Sequence, residues 1–369
     1  MKKIIFIFAA IIFIFHPKCN SEFYSAEINK EINEQIKDIN YEKIINQLPE
    51  HSVNFFKDQN ITIFSVKNLN FENSINLILS ILKNKFNFPI KFLLSVSFIL
   101  LVFCLFSSFF QYNQDIFKFI LTCIVCTSIS YPITKCVDNI IICLKIASNF
   151  LSCFIPIFMT FAISTGFPLS AAAFNSTILY CNQIIMEFSK NTLLPINNTM
   201  IGLCIISSLS TKIKTKKIFD IFYSIIKYLL IFFGTLISFI FSIQKIIGNS
   251  IDSVVSKELK FISSFMPIIG SVLSDAVITV RSSAKILESN VGAFGMISVF
   301  LIFLPSIIES YIWIITFQIC EFFSSVFNLD NLEILFSSLR KTLNVSLSIV
   351  IIFIFIFIFV TSATINIKL

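Results

Sequence analysis

Five ionisable side chains fall inside or at the rims of long apolar runs: Lys145, Glu187, Lys227, Asp275 and Glu309. A charge in hydrocarbon costs roughly 3 kcal/mol or more unless it is paired, neutralised or hydrated, so each is a candidate for function before it is a candidate for anything else. Lys145, Glu187 and Lys227 sit within two turns of the end of an apolar run, where long side chains reach the interface. Asp275 lies about one and a half turns before Arg281, in the stretch 261–280, FISSFMPIIGSVLSDAVITV, which also contains Pro267 and Gly270. A proline there removes a backbone donor that lipid cannot replace. Asp275 could line a wet cavity or hold a partner, or reach the interface beside Arg281. Gly270 and Ser274 are four apart on one helical face, which allows close helix contact. Gly292 and Gly295 open the next apolar run and suit the same purpose.

No arrangement of residues supports catalysis. The chain has no H-E-x-x-H, no G-x-S-x-G, no P-loop and no G-x-G-x-x-G, so the groups that place a metal, a nucleophile or a phosphate are missing. The ten cysteines lie mostly within apolar runs, and Cys123-x-x-Cys126 is a single pair on an apolar helix without a second pair, which reads as buried packing. His16 and His51 are the only histidines. The expectation is therefore no catalytic residue, no metal and no cofactor.

The elements that carry these residues follow from composition. Of 369 residues, 56% are hydrophobic and 13% charged, against about 25% charged in soluble domains. The 46 Phe, with abundant Ile, Asn and Lys, match an AT-rich coding bias and do not require an aromatic binding platform. The net charge of +7 is spread through loops and includes only two Arg, which argues for membrane topology rather than nucleic acid. The chain reads as an all-α polytopic membrane protein. Residues 1–25 resemble a signal sequence, with an uncleaved anchor as the other reading. Residues 26–88 form a small exported amphipathic helical region, with Ile28, Ile32, Ile36 and Ile39 at helical spacing and a second stripe over 71–86.

The remainder, 89–369, is a multi-pass domain of about nine apolar segments: 89–110, 116–134, 140–165, 169–188, 193–210, 218–246, 259–280, 291–318 and 342–366. The fourth and fifth carry Asn175, Asn182, Pro195 and Asn197, a composition that also fits a re-entrant or broken helix. If all nine cross, the basic loop 211–217 with Lys212, Lys214, Lys216 and Lys217 is cytoplasmic, while Arg340 and Lys341 lie outside against the positive-inside rule. Phe150-Leu-Ser-Cys-Phe-Ile-Pro156-Ile157 matches Phe261-Ile-Ser-Ser-Phe-Met-Pro267-Ile268 at five of eight positions, an internal repeat whose first unit ends near Gly166. The two units run parallel on the nine-segment count, and inverted if one doubtful segment does not cross.

The order of these features, with N-F-L-S-C-F-I-P-I-F at 149–158, S-T-G at 164–166, S-A-A-A-F at 170–174, F-M-P-I-I-G-S-V-L-S-D-A at 265–276 and V-G-A-F-G at 291–295, resembles the stage III sporulation protein AE family of endospore-forming bacteria. The resemblance covers essentially the whole chain, and Pro168 is a departure from it. It implies a mother-cell membrane around the forespore, and a non-enzymatic subunit of the channel that joins the two. It implies as partners other membrane and ring-forming subunits and a cytosolic secretion-type ATPase, besides the lipid bilayer. A stand-alone secondary transporter for a small solute or ion is the alternative, and a docking platform that uses 26–88 or the lysine loop is a third reading.

Overall fold

The computed structural model describes residues 44–59, 61–62, 71–107, 114–164, 168–209, 215–264 and 270–365, with side chains over 244–288 outside the description. Its elements are α1 (Glu50–Asp58), α2 (Phe71–Ser107), α3 (Gln114–Ser164), α4 (Pro168–Phe188), a π-turn (Ser189–Leu193), α5 (Leu194–Leu209), α6 (Thr215–Ser264), α7 (Gly270–Val326) and α8 (Asp330–Ile365). Among the described residues, six helices are long and apolar enough to cross a membrane.

The apolar runs are joined differently from the nine-segment expectation. Runs 116–134 and 140–165 are collinear in α3, whose 51 residues reach about 76 Å at 1.5 Å per residue, more than twice a hydrocarbon core. Lys135 and Asp138, between those runs, face outward, so they interrupt the hydropathy without breaking the helix. Runs 169–188 and 193–210 are continuous through the π-turn, a local unwinding that accommodates Pro195 two residues on. Within the stretch 259–280, α6 is described to Ser264 and α7 from Gly270. The boundary at 88/89 is also bridged: α2 continues through Pro89, so the second amphipathic stripe is the first half of a membrane-length helix.

The core pair is α7 and α8, an antiparallel hairpin with about 72% and 61% of their most apolar stretches buried. Its turn is specified locally. Asn328 takes a left-handed φ of 53°, the Leu329 amide donates to the Ser324 carbonyl at 2.9 Å, and the Asn328 amide donates to the Ser325 carbonyl at 3.1 Å, the two bonds of a Schellman stop. Arg340 on α8 then reaches Glu321 on α7 with two donors, at 3.1 and 3.2 Å. Around this pair stand α2, α3, α4, α5 and α6.

Contacts at one end fix the direction of the helices. Lys341 pairs with Asp220 in the second turn of α6 at 2.6 Å, and Lys118 near the start of α3 reaches the Asn328 carbonyl at 3.5 Å. The starts of α3, α6 and α8 therefore share one end of the bundle. Arg340 and Lys341 lie at the same end as Lys216 and Lys217, which corrects the placement of Arg340 and Lys341 on the opposite side. An even number of crossings therefore separates Asp220 from Lys341, and Lys216, Lys217, Arg340 and Lys341 share one end. The first unit of the repeat closes α3, while the second begins at the end of α6 and resumes on α7 after 265–269, which lie outside the described residues.

Candidate functional site

Among the described residues, Glu309 is a charged residue that the fold brings toward its interior. On α7, its carboxylate accepts a hydrogen bond from the Lys85 ammonium at 2.7 Å and from the Asn139 amide at 3.1 Å. The glutamate side chain is 14% exposed and the lysine 37%, so this pair is partly shielded rather than a surface bridge. Three helices meet there, α2, α3 and α7. One turn of α2 beyond Lys85, Pro89 lacks the amide that would bond the Lys85 carbonyl, which loosens the backbone where the lysine must reach across. Below it, Trp313 fills the α2–α7 seam against Phe88, Phe92 and Phe317, with ring centroids 6.0, 5.6 and 5.4 Å away.

The same seam of α3 and α7 carries thiol–hydroxyl pairs: Cys136 with Ser310 at 3.5 Å and Cys143 with Ser306 at 3.1 Å. A second seam repeats the pattern, with Cys126 against Ser208 at 3.4 Å, Cys204 against Thr342 at 3.8 Å, and the Asn197 amide donating to Ser346 at 2.6 Å. Small polar side chains at these crossings let helices approach and give weak interhelical bonds. Cys126 of the C-x-x-C pair is thus a packing residue at a helix crossing.

Higher on α7, Pro305 has no amide to offer the Leu301 carbonyl. His51 from α1 supplies the donor through Nε2 at 2.9 Å. Phe56, one turn along α1, stacks on Phe294 at 4.8 Å. Between them, Gly295 lies under the Phe154 ring so closely that an added Cβ would collide with it, the third-nearest ring atom being only 3.1 Å away. Phe154 continues the stack through Phe150 and Phe158.

Set against the sequence expectations, Gly295 and Gly292 are buried on α7, and Gly295 leaves less room for a side chain than Gly202 or Gly234. Pro156 lies within α3 on its outer face, and Lys216 and Lys217 are exposed in the first turn of α6. Gly270 is the first residue of α7 and Asp275 follows in its second turn, with both side chains outside the described residues. Pro267, Gly166, Lys212 and Lys214 lie outside the described residues altogether. Lys145, Glu187 and Lys227 are exposed. Sequence reasoning missed His51 and Lys85 because each partner is more than 200 residues away. The one local signal was Pro305, which orphans a carbonyl without saying what will cap it. Among the described residues, no group of three His, Cys, Asp or Glu is placed to hold a metal ion.

A model of stage III sporulation protein AE matches residues 57–367, which is most of the chain and includes every helix from α2 to α8. The chain belongs to the stage III sporulation protein AE family. A stage III sporulation protein AE from Bacillus subtilis (strain 168) is 26% identical over 150 residues, covering 40% of this chain and 38% of the relative. The alignment therefore spans well under half of that curated relative. No solved structure matches the chain. In this member of the family, the Glu309 cluster and the α1 contact both fall on α7, inside the matched region.

Proposed function

We propose that this chain is a non-enzymatic, multi-pass subunit of a conduit complex in the membrane between mother cell and forespore, with α7 and α8 as its fixed core. The family match supports a sporulation role, and the observation that carries the scaffold reading is the burial of α7: its shielded carboxylate Glu309 is consumed by Lys85 and Asn139. A carboxylate held by two donors braces three helices and has little freedom to exchange ions. The cavity between α3, α4 and α8, beside Asn182 and Phe357, is about 20 Å³, room for one water rather than a solute.

On this reading the basic end, with Lys212, Lys214, Lys216 and Lys217, is the cytoplasmic docking face for an ATPase, and ring-forming subunits meet the opposite end. Affinity purification from sporulating cells tests it. Co-purification of a secretion-type ATPase and ring proteins, lost when the four lysines are changed to Gln, is the expected result. Solute uptake by the purified chain in liposomes without partners would overturn it in favour of a stand-alone transporter.

A further inference from the structure

Two contacts tie the outer helices to a common height. The Phe188 and Phe233 rings lie 4.5 Å apart, which levels the end of α4 with the middle of α6. The Asn182 amide donates to the Ser148 carbonyl at 3.2 Å and to the Ser152 hydroxyl at 3.4 Å, which levels α4 with α3. At this height α6 and α8 present Phe232, Leu236, Phe239, Ile351 and Phe355 outward, with Phe239 65% and Phe355 57% exposed. On α3, α4 and the π-turn, the outward residues at the same height are Lys145, Asn149, Gln183, Glu187, Lys190 and Asn191. Every one of these positions falls within a membrane-length apolar helix.

A bilayer that covers the apolar flank must also reach the polar one, and lipid tails cannot satisfy ammonium, carboxylate and amide groups. Among the described residues, none of those six polar side chains has a hydrogen bond or ion pair within the chain to absorb the cost. We infer that the outer face of α3 and α4 is a contact surface within the membrane, and that its partner is the same face of a second copy of this chain. The charges select that partner. Lys190 follows Glu187 by three residues, and Lys145 lies on α3 at the height of Glu187 set by the Asn182 contacts, so the face carries both signs and can be complementary to itself, as an interface related by a two-fold axis requires. The apolar flank of α6 and α8 is left to lipid. This assignment concerns contacts between copies and does not rest on the conduit reading.

Photo-crosslinking in native membranes tests the inference. A photoreactive residue replacing Glu187 or Asn149 should capture a second chain, giving a product of about twice 42.1 kDa, whereas one replacing Phe232 or Phe239 should not. Glu187→Lys should reduce the Asn149 cross-link about tenfold, since like charges facing each other oppose association, and adding Lys190→Glu should restore it. Capture of a different protein at Asn149 and Glu187, no capture there, or capture from Phe232 and Phe239 instead would each overturn it. Water-accessible thiol labelling of Phe232→Cys in a Cys104→Ser background would also overturn it, because that height would then lie outside the bilayer.

Discussion

Helices α6 and α7 are of similar length, 50 and 57 residues, and both are rich in Ile and Phe, yet they occupy opposite positions. About 17% of the most apolar stretch of α6 is buried, against 72% for α7. Hydropathy alone therefore does not say which helix is central. The difference lies in the small and polar residues. On α7, Gly292, Gly295, Ser298, Ser306 and Ser310 are all buried, and they let α3 approach closely. Over 218–243, α6 presents bulky side chains to the outside, including Ile218, Phe222, Tyr228, Phe232 and Phe239. In a membrane, where Leu or Phe gains little by leaving lipid for protein, a helix is drawn inward by close packing and polar pairing rather than by hydrophobicity.

The largest expected effect breaks the α7 side of this comparison. Gly295→Leu puts a side chain where the Phe154 ring already sits, and overpacking should cost about 3 kcal/mol, read as a lower melting temperature in detergent and a reduced membrane level. Gly234→Leu on α6 supplies the control, because the nearest atoms to an added Cβ there are 3.9–4.0 Å away on Ile352, and it should melt much closer to the parent. Next is Glu309→Leu, which strands Lys85 and Asn139 and should cost about 2 kcal/mol once the partial exposure of the lysine is allowed for. Lys85→Met with Glu309→Leu should recover part of that loss, and a double-mutant cycle on the melting temperature measures the coupling.

His51→Ala should cost about 1–2 kcal/mol, since the Leu301 carbonyl loses the donor that Pro305 withholds. Hydrogen exchange at α1 is the sharper readout, with protection over 50–58 expected to fall while that of α8 stays unchanged. The smallest effect is expected from Phe239→Ala on α6, within about 0.5 kcal/mol. A melting temperature reduced as far as by Glu309→Leu would show that α6 is packed against protein and would dissolve the contrast.

Several features of the fold were legible in the residues themselves. Long apolar runs dictate membrane-length helices, and Gly292 and Gly295, which the residue pattern marks for close contact, lie buried on α7. Pro305 was readable as a residue that must orphan the Leu301 carbonyl. Joining of the runs was not legible, because Lys135 and Asp138 look like a loop in a hydropathy trace and become harmless once they face outward on a continuous α3. Nor was the place of Glu309, which resembled the other four charged residues until Lys85 and Asn139 arrived from helices far away in the chain.

What the sequence by itself determined is the solvent each segment can tolerate: backbone groups in hydrocarbon must bond within their own helix, so runs of Ile and Phe this long become helices whatever surrounds them. Which helix lies at the centre, which carboxylate is braced and which carbonyl His51 caps were decided only by the tertiary structure. Those outcomes depend on distances between residues 170, 224 and 250 positions apart, and no local pattern encodes a distance of that kind.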